Sequence, residues 1–175
     1  MVTTVLDEPA EVFDEEYDAD YVDPYVLMKA VPPYSSIPKY LLKPNLLPPK
    51  DSSLPSHTLV LDLDETLVHC YLDKPPQYDI SFEIDDGAKY EVYLCFRPYV
   101  FYFLETMSQF YELIVFTAGI RVYAELNRSM FNSETKLIQY CLNREHCVCV
   151  NEGMYIKDLR SLNRDLVGVS SCDDL

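Results

Sequence analysis

Residues 58–64 constrain the fold more than any other segment, because they form an apolar run that ends in two acids, Asp62 and Asp64. An apolar run of this length predicts a strand that is buried on both faces, as is typical of parallel sheets. Open parallel sheets place their sites at the carboxyl ends of their strands. The sequence therefore predicts a polar site directly after this strand.

The segments after this strand predict alternating strands and helices. Alternating apolar residues, turn residues and a proline suited to a first helical turn indicate four further elements. They are a β-hairpin over residues 80–94, a helix over about residues 98–109, a strand over residues 113–117 and a helix over about residues 121–130. Strand, helix, strand, helix is the pattern of right-handed crossovers. The expected fold class is therefore α/β, a parallel sheet with helices on both faces and a small β-hairpin insertion.

The chain divides into three predicted parts. Residues 1–23 carry nine acids and no base, which indicates an acidic, disordered arm. Residues 24–55 are rich in proline, which excludes a continuous helix or a central strand and indicates an extended leader whose apolar residues can pack on the next domain. Residues 56–175 are long enough for one hydrophobic core and are expected to form one domain.

Charge and cysteine content exclude several classes of protein. The net charge is -15, but after the acidic arm 20 acids stand against 14 bases, without the basic stripe that binds nucleic acid. Residues 1–10 lack the apolar core of a secretion signal, so the six cysteines indicate reduced thiols of a nuclear or cytoplasmic protein. No apolar run approaches the ~20 residues of a membrane helix. A monomer without a membrane partner is expected.

Asp62 and Asp64 suit phosphoryl chemistry. Two carboxylates that converge at a strand end repel each other and call for a cation, and Mg²⁺ prefers oxygen ligands. One carboxylate can attack phosphorus to form an acyl phosphate, while the other moves protons to the leaving oxygen and from water. The alternative is that both acids only cap a turn.

Several segments resemble the motifs of one known family. The sequence LVLDLDETLVH at residues 59–69 resembles the first motif of CTD phosphatases in the haloacid dehalogenase-like superfamily. FTA at residues 116–118 and YIKDL at residues 155–159 resemble the second and third motifs, in family order. REHCVCV at residues 144–150 narrows the resemblance to the CTD small phosphatase family, and the likeness extends over about residues 22–166.

The resemblance implies a haloacid dehalogenase-like fold and a magnesium-dependent protein serine/threonine phosphatase with an aspartyl-phosphate intermediate. The implied roles are Asp62 as the nucleophile, Asp64 as the acid and base, and Thr117 and Lys157 as phosphate-binding residues. Arg144 matches a family residue near the substrate, and the alternative for it is an ordinary surface ion pair. The implied substrate is a phosphoprotein, such as the phosphorylated C-terminal domain of RNA polymerase II, with the hairpin beside the active site. A small-molecule phosphohydrolase is an alternative, because fold alone does not fix the substrate.

The C-terminal residues depart from the family pattern. The family has a buried strand here that ends in an aspartate and an asparagine, which complete the metal site. In this chain Gly168, Ser170 and Ser171 disfavour a central strand. Asp173 falls at the family's metal ligand, so the implied magnesium ligands are Asp62, Asp64 and Asp173. The expectation is a catalytic domain that is incomplete at its C-terminus, and the alternative function is a catalytically impaired, phosphoprotein-binding or regulatory form.

Two further groups of residues have competing interpretations. Cys141, His146, Cys147 and Cys149 could indicate zinc, but their spacing lacks paired C-x-x-C units and favours buried thiols. His69 could shuttle protons, or could be a structural histidine in the turn after the first motif.

Overall fold

The computed structural model describes Lys29 and residues 31–85, 87–151 and 154–173. The predicted arm over residues 1–23 lies outside the described residues and stays a prediction. The same holds for residues 24–28 and 30 of the predicted leader. The elements and sheets belong to the compact unit Pro33–Leu175. Within the described ranges, no helix combines the length and hydropathy that a membrane crossing requires.

The elements succeed one another in an α/β order. The strands are β1 His57–Leu61, β2 Val68–Tyr71, β3 Ile80–Asp85, β4 Lys89–Phe96, β5 Tyr111–Phe116, β6 Ile138–Leu142, β7 Val148–Asn151, β8 Met154–Ile156 and β9 Val169–Cys172. The α-helices are α1 Val100–Met107 and α2 Arg121–Phe131, and the 3-10 helices are Tyr34–Ser36, Lys39–Leu41, Arg144–His146, Leu159–Leu162 and Leu166–Gly168.

A parallel sheet of order β6-β5-β1-β9 forms the centre. Its middle strands are apolar on both faces, because Leu59 and Leu61 point to one face and Val60 to the other, and all three are buried. This confirms the predicted α/β fold and the two buried strands, and the elements for which a range was predicted lie within a few residues of it.

Both α-helices pack on the face of the sheet that carries Leu59 and Leu61, where Leu104 of α1 and Tyr123 of α2 join one core cluster. The crossovers from β1 to β5 and from β5 to β6 run in the same direction, so right-handed connections place both helices on the same side. In the described ranges the opposite face is covered by residues 46–47 and the 3-10 helix Leu159–Leu162 instead. The predicted helices on both faces are therefore α-helices on one face and a 3-10 helix on the other.

The predicted hairpin is β3 and β4, and β2 joins it to give a three-stranded antiparallel sheet. Gly87 in its turn has a φ of 107°, a value that glycine adopts without strain. The sequence pattern does not indicate the pairing of β2 with β4. The hairpin sheet therefore begins only six residues after Asp62, which places it next to the end of β1.

Residues 169–172 form a strand despite their poor propensity. β9 pairs in parallel with β1, with Leu61 opposite Cys172, and the backbone N–H of Asp62 donates to the Cys172 carbonyl at 3.0 Å. Ser170 and Ser171 are exposed, and in the described sheet β9 is an edge strand. Small polar side chains are tolerated there because an edge strand need not bury both faces. The pairing carries Asp173 to the end of β1.

Candidate active site

The predicted site residues Asp62 and Thr117 directly follow two neighbouring parallel strands, β1 and β5. Leu61 and Leu63, on either side of Asp62, are fully buried and fix the backbone of this turn. The backbone N–H of Leu63 donates to Asp62 Oδ1 at 2.7 Å. Glu65 has a φ of 57°, so the chain turns sharply just after Asp64.

Asp62 is joined to two residues that are distant in sequence. Lys157 Nζ lies 2.7 Å from Asp62 Oδ2 and 2.9 Å from Asp173 Oδ2. Lys157 follows β8, and Asp173 follows β9. The structure thus brings together the predicted nucleophile, the predicted phosphate-binding lysine and the third predicted metal ligand.

Burial is the largest cause that shifts the pKa of Asp62. Desolvation and the hydrogen bond to Asp173 raise this pKa to about 6, although the hydrogen bond and charge of Lys157 act in the opposite direction. Two carboxylates at one point disfavour the second negative charge. With a pKa of about 6, the Asp62 carboxyl is mostly protonated below this pH and mostly ionised above it.

The Asp64 carboxylate contacts two hydroxyl groups. Tyr123 OH donates to Asp64 Oδ1 at 2.6 Å, and Thr117 Oγ1 donates to Asp64 Oδ2 at 3.2 Å. The backbone N–H of Gly119 donates to Thr117 Oγ1 at 2.9 Å, which fixes the hydroxyl. Asp64 thus lies with Thr117, whereas Asp62 lies with Lys157.

Tyr123 is a site residue that sequence reasoning missed. It lies in the first turn of α2, is buried, and has a raised pKa through desolvation and the nearby charge of Asp64. An aromatic residue in an amphipathic helix is ordinarily part of the core, so its spacing carried no sign of the contact. Only the position of α2 directly after the second motif could have suggested it.

Arg144, predicted to lie near the substrate, fixes the turn that carries Thr117. Its Nε donates to the Ala118 carbonyl at 2.7 Å, and its backbone N–H donates to the Gly119 carbonyl at 2.9 Å. Its guanidinium group lies 5.1 Å from the centre of the Tyr155 ring. Arg144 therefore reaches the site while it holds residues 118–119 in place.

A cavity of about 280 Å³ opens beside Asp64. It is bounded by the hairpin sheet on one side and by the start of α2 on the other. Its lining residues are Asp64, Cys70, Leu72, Ile84, Tyr90, Val92, Gly119, Ile120, Tyr123 and Arg144. The cavity has room for a small group next to the Asp64 carboxylate. A larger groove of about 490 Å³ runs along α1 to Asp173, but neither Asp62 nor Asp64 lines it.

The donor set at Asp62 suits a hard divalent cation. Asp62 and Asp173 offer carboxylate oxygens at one point, and among the described residues only one ammonium group, that of Lys157, contacts both. Oxygen ligands of this kind fit Mg²⁺. In the described ranges no three His, Cys, Asp or Glu side chains form a ready metal cluster. The ligand set of Asp62, Asp64 and Asp173 therefore stays a prediction.

The cysteine group of residues 141–149 and His69, which had competing interpretations, make structural contacts. Within the described chain, Cys141 and Cys147 belong to no metal cluster, and their thiols lie 3.6 Å from the Ala124 carbonyl and 3.7 Å from the Thr117 carbonyl. His69 Nδ1 lies 2.6 Å from Glu65 Oε2, and its ring packs edge-on against Tyr71. Cys147 is buried, as the buried-thiol interpretation expects, but Cys141 is half-buried and Cys149 is exposed. The contacts of His69 favour a structural histidine.

Several proteins to which this chain is similar are named as phosphatases. The family model described as NLI interacting factor-like phosphatase matches residues 57–174. CTD small phosphatase-like protein 3 of Caenorhabditis elegans is 40% identical over 151 residues, which are 86% of this chain and 50% of that protein. CTD small phosphatase-like protein 2 of Dictyostelium discoideum is 39% identical over 153 residues, 87% of this chain and 26% of that protein. The chain thus spans half or less of the length of these relatives.

Two further proteins are similar. CTD nuclear envelope phosphatase 1B of Danio rerio is 36% identical over 126 residues, 66% of this chain and 51% of that protein. Among solved structures, Fcp1, an essential RNA polymerase II CTD phosphatase, matches with a TM-score of 0.55 and 25% identity over 66% of this chain and 36% of that chain. A structure of fission yeast Fcp1 bound to beryllium fluoride has the same TM-score and coverage at 23% identity, a likeness of fold.

Proposed function

We propose that this chain, which belongs to the NLI interacting factor-like phosphatase family, is a magnesium-dependent protein serine/threonine phosphatase that works through an aspartyl phosphate on Asp62. One observation carries the proposal. At the ends of β1 and β5, an ammonium group holds one aspartate while two hydroxyl groups hold the other. The two acids therefore have separate environments, as two separate chemical roles require.

Asp62 is the proposed nucleophile. Its carboxylate oxygen attacks phosphorus, and the bond between phosphorus and the seryl or threonyl oxygen breaks. Lys157, 2.7 Å from Asp62 Oδ2, orients the carboxylate and offers positive charge to the transferred phosphoryl group. The phosphoryl group is then carried on Asp62 as an acyl phosphate.

Asp64 is the proposed acid and base. It gives a proton to the departing alcohol oxygen, and it later takes a proton from the water that attacks the aspartyl phosphate. Tyr123 and Thr117 hold its carboxylate in one orientation. In the proposed substrate complex, the one O–H of Thr117 turns from Asp64 to a phosphoryl oxygen, while the Gly119 N–H still holds its oxygen and Tyr123 still holds Asp64.

The proposed cofactor is Mg²⁺, which Asp62 and Asp173 would hold together with Asp64. When bound it supplies positive charge that offsets the negative charge of carboxylate and phosphoryl oxygens. Support comes from the oxygen donor set, because the carboxylates of Asp62 and Asp173 lie 2.7 Å and 2.9 Å from Lys157 Nζ and so converge on one point.

The proposed substrate is a phosphoprotein, for which the phosphorylated C-terminal domain of RNA polymerase II is one candidate. The family name and the named activity of Fcp1 support this class. The open cavity between the hairpin and α2 also suits an extended peptide segment. The proposed location is nuclear or cytoplasmic, and the nuclear envelope phosphatase among the relatives supports the first.

Asp62→Asn tests the chemistry. We expect this variant to fold and to lose turnover of a phosphoserine peptide in the presence of Mg²⁺ by about 1000-fold or more, because the amide cannot attack phosphorus. Asp73→Asn, in an exposed loop, is the matched control and should retain full activity. Undiminished turnover by Asp62→Asn would overturn the proposal. A panel of phosphosugars beside phosphopeptides separates a protein phosphatase from a small-molecule phosphohydrolase.

A phosphoprotein-binding form without turnover is the second candidate. One observation favours it: among described residues Lys157 contacts both Asp62 and Asp173, and no ready three-ligand metal cluster is present. This form should bind a phosphopeptide in a titration calorimeter yet release no phosphate with Mg²⁺. Measurable magnesium-dependent release by the wild-type chain excludes this candidate.

A further inference from the structure

Lys157 does not lie on the central sheet. It follows β8, which pairs with β7 in a separate two-stranded sheet, and it precedes the 3-10 helix Leu159–Leu162. Its ammonium group nevertheless lies 2.7 Å from Asp62 Oδ2, at the end of β1. The position of Lys157 therefore depends on whatever holds the β7–β8 hairpin and the 3-10 helix against the domain.

Residues 34–48, which we call the strap, contact the chain just after Lys157. The guanidinium group of Arg160 lies 3.3 Å from the centre of the Tyr34 ring, and its Nε also donates to Asp158 Oδ1 at 2.8 Å. The backbone N–H of Leu46 donates to the Ser161 carbonyl at 2.7 Å. These contacts join the strap to the two middle residues of the 3-10 helix.

The strap also contacts the chain before Lys157. The 3-10 helix Lys39–Leu41 packs against β7, and Lys43 Nζ donates to the backbone carbonyl of Glu145, next to Arg144. Leu47 is 5% exposed and joins the core cluster that contains Cys147 and Leu162. One segment therefore contacts residues on both sides of Lys157 and the turn that carries Arg144.

We propose that the strap is a positioning element for Lys157, so that a segment outside the three sequence motifs sets the distance between the ammonium group and Asp62. The catalytic consequence rests on the proposed phosphatase function. Tyr34, Lys43 and Leu46 touch neither Asp62 nor Asp64 in the described contacts. They contact residues 160, 145 and 161 respectively, and Leu46 also packs against the core cluster of Leu47 and Leu162. A displacement of the lysine by about 1 Å is enough to lower turnover strongly.

Tyr34→Ala tests the strap, with two controls. Tyr34→Phe keeps the ring that lies on Arg160. Lys50→Met removes an ammonium group just beyond the strap. This ammonium group contacts Glu112 and Thr58 at the amino end of the sheet. Turnover of p-nitrophenyl phosphate with Mg²⁺ and amide hydrogen exchange over residues 154–163 are measured for each variant, at a temperature well below its unfolding midpoint.

We expect Tyr34→Ala to lower turnover about tenfold and to speed exchange over residues 154–163 about fivefold. Tyr34→Phe should match the wild type in both measurements, and Lys50→Met should lower the unfolding temperature but change neither. The proposal is overturned if Tyr34→Ala exchanges like the wild type, or if Lys50→Met lowers turnover equally. If the wild type has no turnover, the proposed function fails, while hydrogen exchange still decides whether the strap holds residues 154–163.

Discussion

Tyr123 contributes one hydroxyl group to the site, 2.6 Å from Asp64 Oδ1. Desolvation and the charge of Asp64 raise the pKa of Tyr123, so this hydroxyl remains a donor at every assay pH. We expect Tyr123→Phe to lower kcat about tenfold or more, because a hydrogen bond to a charged group contributes about 1.5–3 kcal/mol. Steady-state kinetics with a phosphoserine peptide measure the effect.

Tyr93→Phe is the control for this change. It removes a hydroxyl that donates to Glu91 on the hairpin and leaves the contacts of Asp64 intact. Its kcat should equal that of the wild type. Equal kcat values for wild type and Tyr123→Phe would show that Thr117 alone suffices to orient Asp64.

Ionisation of Asp62 is predicted to lower the free energy of unfolding. Its pKa in the folded state is raised from 3.8 to about 6, first by desolvation and then by Asp173. A raised carboxyl pKa means that the folded state loses stability as the pH rises from about 4 through about 6. Asp62→Asn should therefore be more stable than the wild type above pH 6, by about 1–3 kcal/mol, and equally stable near pH 4. Urea unfolding with a metal chelator at both pH values measures this difference, and a gap of the same size at both would contradict it.

The candidate site residues that lie within sequence motifs could be predicted from the sequence. Asp62 and Asp64 end an apolar run, and Thr117 and Lys157 stand in recognisable motifs, so local sequence is enough to propose them as site residues. Tyr123 and the strap could not be predicted, because their contacts join residues that are 59 and over 100 positions apart, as in the Tyr123–Asp64 and Lys43–Glu145 pairs. Local patterns carry no information on such pairs.

At the scale of elements, β9 is a strand whose sequence could be changed to raise the stability of the fold. Its exposed residues Ser170 and Ser171 have low strand propensity but lie in register with β1. Replacing both by valine should raise the free energy of unfolding by about 0.5–1 kcal/mol, because valine favours the extended backbone. Urea denaturation at pH 7 measures the gain.

Ser133→Val is the control for the strand substitution. Ser133 is exposed in the turn after α2, so valine there should bring no gain. A gain of the same size at residue 133 would assign the effect to hydrophobicity in general and not to the strand. The poor propensity of β9 was visible in the sequence, but its pairing with β1 was not, because tertiary contacts override a weak local preference.

At the scale of the whole molecule, the amino end of the sheet is held by a buried ion pair. Glu112 is fully buried and accepts from Arg164 at 2.7 and 2.8 Å and from Thr58 at 2.8 Å. Desolvation acts to raise the pKa of Glu112, but the hydrogen bonds from Arg164 and Thr58 and the charge of Arg164 outweigh it, so this pKa is lowered. A lowered carboxyl pKa contributes stability above about pH 4.5, and that stability is lost as the pH falls further.

Glu112→Gln should therefore destabilise the domain by about 3 kcal/mol at pH 7, because it leaves the buried Arg164 without its charge partner. The difference from the wild type should shrink below about pH 4.5. Glu83→Gln, which removes an exposed pair with Lys89, should cost less than about 1 kcal/mol. Thermal unfolding across pH 3–7 tests both, and a constant difference for Glu112→Gln over this range would contradict the assignment.

The single ammonium group of Lys157 serves two carboxylates, those of Asp62 and Asp173. Without the proposed Mg²⁺, the site therefore keeps surplus negative charge. An inhibitor built only around a phosphate mimic would add to that surplus. A compound that carries its own cation next to the mimic should bind this protein more tightly.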